Sequence, residues 1–131
     1  MKSIKIVLLA VVASLMFVGC GNNAKTPSEI AIKVLEASKN LDFATVKKYV
    51  VKKRIERLEK AEREMKEDVE RANEFKNETK NVTFKVLSET ISEDGNSAVV
   101  LLEVFFDGER NQKDMDFVKV DGEWKVDEHL Y

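Results

Sequence analysis

The spacing of apolar residues changes once along this chain, and this change constrains the fold more than any other feature. Between residues 26 and 76, apolar residues recur every three or four positions, which is typical of helices with one buried face. From residue 82 onward they recur at every second position, which is typical of strands. Helices gathered before strands predict an α+β fold in which the helices cover a single sheet.

The first helix has a clear start signal. Residues 26–29 read Thr-Pro-Ser-Glu, which supplies an N-cap, a proline at the first helical position and the glutamate of a capping box. Asn40-Leu41-Asp42 ends this helix, and Asp42 can cap a second, shorter one. The sequence therefore predicts two short helices before residue 51.

A long charged helix is predicted next. Residues 51–76 contain neither Gly nor Pro, and acids recur four positions before bases. Its apolar stripe is narrow, and Glu62 interrupts it. A coiled-coil or partner-binding helix and a solvated helix with one face on its own sheet both fit this pattern. The interrupted stripe favours the solvated helix.

The last third of the chain predicts four strands, in the segments NVTFKVLSETI, NSAVVLLEVFF, MDFVKV and EWKVD. The connections contain Asp-Gly, the strongest short hairpin signal, so the strands should form an antiparallel meander. The second strand is nearly all apolar, which predicts a central strand covered on both faces. The predicted fold is α+β, with two short helices and one long charged helix packed on a curved four-stranded antiparallel meander sheet.

The N-terminus has the features of an export signal. Lys2 and Lys5 precede an apolar run that ends at Val18, as in a secretory signal peptide. The following Gly19-Cys20 completes a segment, FVGC, that resembles the lipobox of bacterial lipoproteins, although Phe17 stands where Leu is usual. The resemblance implies cleavage after Gly19 and a diacylglyceryl thioether, with fatty acids such as palmitate, on Cys20. A plain signal peptide with an incidental cysteine is the alternative.

These features divide the chain into three parts. Residues 1–19 are predicted to be the lipoprotein signal peptide, residues 20–25 the lipidated cysteine and a flexible tether, and residues 26–131 one folded domain. Loss of Lys2 and Lys5 with the signal lowers the formal net charge from −2 to −4. No basic patch with interleaved aromatic residues is present, so we expect no nucleic-acid partner.

The two ends of the predicted domain resemble a known family. Residues 26–50, with Asn40-Leu41-Asp42, and the ending FVKVDGEWKVD are similar to nuclear transport factor 2-like (cystatin-like) domains of bacterial lipoproteins of unknown function. The resemblance covers most of residues 26–128. It implies a conical fold, in which a curved sheet wraps around helices and often encloses a pocket. Members include isomerases, dehydratases, ligand binders and interaction domains, so the fold alone does not decide the function.

Residues suited to catalysis are few. His129 is the single histidine and lies beyond the last predicted strand, so the sequence predicts neither a catalytic triad nor a metal or cofactor site. Glu103 lies within an otherwise apolar strand and is the most notable acid. Asp114 and Asp116 on the next strand could form a dyad with it, but a structural acid paired with a cation such as Lys119 is the simpler interpretation.

Three functions remain open. We expect a non-catalytic interaction module of the cell envelope, anchored to a bacterial membrane through Cys20 on the extracytoplasmic side, with an envelope protein as partner. The alternative is a binder of a small apolar ligand in a cone-shaped pocket, with candidate lining residues Phe84, Glu103, Phe105, Phe117 and Trp124. An isomerase or dehydratase would need Glu103 and a hydroxyl such as that of Tyr49 in the same cavity. A filled core would exclude the second and third.

Overall fold

The computed structural model describes residues 25–128, and within this range it contains four helices followed by four strands. The helices are α1 (Pro27–Lys39), α2 (Phe43–Lys48), α3 (Lys52–Glu67) and α4 (Val69–Thr79). The strands are β1 (Thr83–Ile91), β2 (Ser97–Phe106), β3 (Glu109–Val120) and β4 (Glu123–Val126), paired antiparallel in sequence order. The predicted α+β fold with a four-stranded meander is confirmed. The predicted signal peptide, Gly19, Cys20 and His129 lie outside the described residues.

Helix α1 begins as its sequence predicts. The Thr26 hydroxyl accepts a hydrogen bond from the Glu29 backbone N–H at 3.2 Å, and the Glu29 carboxylate accepts one from the Thr26 N–H at 2.9 Å. This reciprocal capping box satisfies two of the N–H groups that a helix start leaves unpaired. The buried face of α1, which includes Ile30 and Val34, lies over the sheet and contacts β1, β2 and β4.

The prediction of one long helix over residues 51–76 is wrong, because the chain breaks at Asp68. The φ and ψ angles of Asp68 are −119° and 81°, and its carboxylate accepts a hydrogen bond from the Arg71 N–H at 3.0 Å. Asp68 therefore ends α3 and caps α4. The break lets α4 return to the end of α1, where the Thr79 hydroxyl donates to the Lys39 carbonyl at 3.1 Å. A straight helix would carry residues 69–79 away from that contact.

Helices α3 and α4 are mostly solvated. Leu58 is buried in α3, and no residue of α4 is buried. Glu62, which interrupts the apolar stripe, has a charged partner. The Lys47 ammonium of α2 lies 3.0 Å from the Glu62 carboxylate. This hydrogen bond, with help from Lys66, holds the pKa of Glu62 below its ordinary value. The narrow face of α3 thus packs beside α2 rather than lying along the sheet.

The two short hairpins form as the Asp-Gly pairs predict. Asp107 and Gly108 have φ angles of 52° and 79°, and Asp121 and Gly122 have φ angles of 52° and 81°. Two consecutive residues with positive φ are the signature of the tight turn that matches the twist of paired strands. The opposite edge of β4 is closed by Val50, which pairs with Val126 in a parallel bridge and joins the helices to the sheet.

Candidate functional site

The sheet has one covered face and one uncovered face among the described residues. On β2, Val100 and Leu102 point toward α1 and are fully buried, whereas Val99 and Phe105 point the other way and are 38% and 39% exposed. The expectation that β2 is covered on both faces is therefore wrong within residues 25–128. Strand β2 is central because β1 and β3 flank it, while only the side toward α1 carries helices. We call the covered side the inner face and the other the outer face.

The five candidate pocket residues do not share one pocket. Phe117 and Trp124 are buried on the inner face, and Phe84 packs against the same core. Glu103 and Phe105 lie on the outer face, since they alternate with the buried Leu102 along β2. The sheet itself separates the two groups.

The middle of the inner face is filled by its own side chains. Val34, Val46, Val100, Leu102, Met115 and Val126 have no exposed surface at all. A side chain with no exposed surface borders neither solvent nor a cavity large enough for water. The space between α1 and the middle of the sheet is therefore occupied, and these residues leave no room there for an apolar ligand.

Glu103 does not form the dyad that a catalytic role would require. Its direct neighbours across the strands are Lys85 on β1 and Gln112 on β3. Asp114 and Asp116 lie opposite Leu101 and Val99 instead. 

The other proposed partners of Glu103 are also elsewhere. Lys119 lies on the inner face, with its ammonium 5.0 Å from the centre of the Trp124 ring. The backbone of Tyr49 pairs with Val126 at the β4 edge, and its side chain packs against the core. Neither residue shares a cavity with Glu103.

On the outer face, the side chains of β3 change from basic to acidic along the strand. Four residues of β3 on this face pair with residues of β2: Arg110 with Phe105, Gln112 with Glu103, Asp114 with Leu101, and Asp116 with Val99. The Arg110 guanidinium lies 6.0 Å from the centre of the Phe105 ring, within the range of a cation–π contact. One end of this face is thus aromatic and basic, and the other is aliphatic and acidic.

Several carboxylates lie close together at the acidic end of the outer face. Desolvation of its carboxyl group raises the pKa of Asp116, and the carboxylates of Glu128 and Asp114 raise it further. Lys113 opposes this shift but is itself paired with Glu128 at 2.9 Å.

A second surface feature is a shallow recess on α4, lined by Val69, Glu70, Asn73, Glu74 and Asn77. Val69 is 63% exposed, and no residue of α4 is buried. The recess therefore lacks the enclosing apolar walls of a small-molecule site. Among residues 25–128, no group of three or more His, Cys, Asp or Glu side chains is arranged to hold a metal ion.

Comparison with known proteins assigns the chain to a family. The model of a family described as a domain of unknown function, DUF4878, matches residues 18–127. The chain belongs to the DUF4878 family. A search of curated proteins finds no significant match.

A solved structure shares the fold of this DUF4878 domain. It is a Campylobacter jejuni protein provisionally named an NTF2-like transpeptidase, which matches with a TM-score of 0.55 and 17% sequence identity. The match covers 79% of this chain and 99% of the other. A likeness at this identity shows the fold alone, and it confirms the nuclear transport factor 2-like architecture. No helix within residues 25–128 is both long and apolar enough to cross a membrane.

The buried acid of the DUF4878 domain is Glu89, which the strand pattern does not single out. It is 5% exposed, and its carboxylate accepts hydrogen bonds from the Ser28 N–H at 2.9 Å and the Ser28 hydroxyl at 2.6 Å. Counting alternate residues from Val82 places Glu89 on the outer face. A register shift between Val86 and Ser88 moves it to the inner face, against the start of α1.

Proposed function

We propose that this protein is a lipid-anchored, non-catalytic interaction module of the bacterial cell envelope, held on the extracytoplasmic side of a membrane through Cys20. The observation that carries the proposal is the contrast between the two faces of the sheet. Side chains of the core fill the middle of the inner face, while the outer face presents apolar and charged groups that no described element covers. Exposed apolar side chains that are grouped on one face mark interaction sites.

The anchoring part of the proposal rests on the N-terminal sequence. Lys2, Lys5 and the apolar run provide for export, and Gly19-Cys20 provides the lipidation motif. A residue that carries two or three acyl chains is held stably in a bilayer, whereas a single chain binds only marginally. Six residues separate Cys20 from α1, so the tether spans at most roughly 25 Å when extended. The domain should therefore stay close to the membrane surface.

Replacing Cys20 by Ala tests the anchor. We expect the Cys20→Ala chain to lose incorporation of labelled palmitate and to retain residues 1–19, because both lipidation and cleavage require the thiol. Labelling in the bacterial host followed by intact-mass measurement reads both effects. Asn23→Ala in the tether is the matched control and should be labelled and processed like the parent chain. Palmitate on the Cys20→Ala chain, or none on the parent chain, would contradict lipidation at this residue.

Photo-crosslinking in the intact envelope tests the interaction surface. A photoreactive amino acid in place of Val99, on the outer face, should give discrete protein adducts. The same amino acid in place of Asn73, which is exposed on α4, should give none. Adducts that arise equally from both positions, or from Asn73 alone, would show that the outer face is not the contact surface. The absence of adducts from Val99 would count against an interaction module altogether.

A further inference from the structure

Basic residues are concentrated where α2 ends and α3 begins. Residues 47–60, which we call the basic segment, hold seven of the chain's 22 lysines and arginines but only two acids, Glu56 and Glu59. The seven cations are Lys47, Lys48, Lys52, Lys53, Arg54, Arg57 and Lys60. The chain without residues 1–19 has a formal net charge of −4, so the rest of the domain is acidic and the basic segment stands apart from it.

Three of these cations form ion pairs within the domain. The Lys53 ammonium and the Arg54 guanidinium lie 3.4 Å and 3.5 Å from the Asp127 carboxylate, and these contacts join the start of α3 to the end of β4. Lys47 pairs with Glu62, as described above. These contacts account for part of the basic segment by the stability of the fold.

Other lysines of the basic segment have no such role. Lys48, Lys52 and Lys60 are exposed, and within residues 25–128 no carboxylate lies within 4 Å of their ammonium groups. The first turn of α3 contains no acid, although the dipole of a helix favours acids over bases at its start. The position of Lys52 is therefore explained neither by the stability of α3 nor by an ion pair in the domain.

The basic side chains of α3 point away from the core. Leu58 is the buried residue of this helix. The opposite side carries Lys53, Arg57 and Lys60, which are four and three positions apart and all exposed, with Glu56 among them. The first half of α3 thus presents a solvent-facing row of cations.

We infer that the basic segment docks on the anionic lipid headgroups of the membrane in which Cys20 is anchored. This inference rests on the anchoring part of the proposed function and adds an orientation of the domain to it. Each lysine or arginine close to a negatively charged bilayer surface favours binding about fivefold. A basic surface next to an acyl anchor is a combination that holds a protein stably on such a bilayer.

The tether joins the domain at the same end of the sheet as the basic segment. Ser28, at the start of α1, is bonded to Glu89, which aligns across β2 with Met115 of β3. Val50, two residues before α3, aligns across β4 with Phe117, two positions further along β3. At strand spacings of roughly 4.8 Å, the two helix starts lie about 20 Å apart. The tether is long enough for the anchor and the basic segment to reach one bilayer surface.

Docking through α3 leaves the outer face of the sheet available to a partner. The helices pack on the inner side of the sheet, and the basic row lies on the solvent side of α3. The outer face carries the carboxylates of Glu103, Asp114 and Asp116, which an anionic bilayer would repel. The two surfaces therefore have different partners, the membrane for the basic segment and a protein for the outer face.

Fluorescence quenching tests the docking with the lipidated full chain in vesicles. Acylated Cys20 has no free thiol, so a fluorophore can be attached through Glu56→Cys on α3 or, as the matched control, through Gln112→Cys on the outer face. A quencher on the lipid headgroups should quench the Glu56→Cys label at least about threefold more in vesicles with phosphatidylglycerol than in phosphatidylcholine alone. High salt should abolish this difference. The Gln112→Cys label should be quenched equally in both.

A charge-swap pair tests which cations are responsible. Lys48→Glu with Lys52→Glu should lower the ratio of docked to undocked domain at least about tenfold, because two cations are lost and two acids are added. Arg71→Glu with Lys76→Glu on α4 changes the net charge by the same amount and should leave the quenching unchanged. Equal loss from both pairs would show that net charge alone matters, and it would overturn docking through the basic segment. 

Flotation of the chain with vesicles separates this inference from the proposed function. A chain that floats with both kinds of vesicle but whose Glu56→Cys label is quenched equally in both would overturn the docking and leave the anchored module standing. A chain that floats only with phosphatidylglycerol vesicles would contradict the acyl anchor and support the docking. Flotation with neither would contradict both.

Discussion

Replacing Phe117 by Ala should lower the free energy of unfolding by about 3–5 kcal/mol, the cost of removing a large aromatic side chain from a packed core. Phe117 is 1% exposed and lies between Ala98 and Val126, its neighbours across the strands, in the layer beneath α1. The lost side chain would leave a cavity, because the surrounding side chains are already closely packed and cannot fully relax into it.

Phe105→Ala is the matched control, since it removes the same atoms from the outer face. Phe105 is partly exposed and contacts Arg110, so its loss should cost only about 1 kcal/mol. Urea unfolding followed by the fluorescence of Trp124, the single tryptophan, compares the two variants at a concentration too low for association. Equal destabilisation by both substitutions would contradict the assignment of these residues to opposite faces.

The second large effect should come from Glu89→Ala, which removes the buried carboxylate that joins β1 to the start of α1. We expect a loss of about 2–3 kcal/mol, because the Ser28 N–H and hydroxyl would be left without the charged acceptor that they now share. The carboxylate also lies at the N-terminus of a helix, where the backbone dipoles favour negative charge. Both contributions disappear together when the carboxylate is removed.

The measurement is a double-mutant cycle with Ser28→Ala in urea unfolding. A coupling of about 1 kcal/mol or more between the two positions would identify the hydrogen bond as the source of the effect. Glu93→Ala removes an exposed acid from the loop after β1 and should change stability by less than about 0.5 kcal/mol. Additive effects of Glu89→Ala and Ser28→Ala would show that the two residues do not act as a pair.

Local signals in the sequence predicted the element order well. The capping box at residues 26–29 and the Asp-Gly turns act through contacts within a few residues, so their geometry does not depend on the rest of the fold. Asp68 shows the limit of such reasoning. An aspartate inside a charged stretch is compatible with a continuous helix. The helix breaks at Asp68, and this break lets α4 contact the end of α1.

The candidate site was predictable only in part. The apolar and acidic residues of β2 and β3 could be recognised, but Glu103 and Phe105 were expected beside Phe117. Alternation along a strand separates two faces without showing which face a helix covers. The buried acid, Glu89, is not singled out by the strand pattern for a related reason, because one extra residue in β1 reverses the face of every position after it.

The sequence by itself determined the helices-then-strands order, the starts and turns of most elements, and the resemblance of residues 17–20 to a lipidation motif. These features depend on hydrophobic period and on neighbouring residues. The tertiary structure alone decided that the helices pack on one side of the sheet, that the middle of the inner side is filled, and that Arg110 and Asp116 remain on an uncovered face. Burial of a face depends on contacts between residues far apart in the chain, and such contacts leave no local pattern in the sequence.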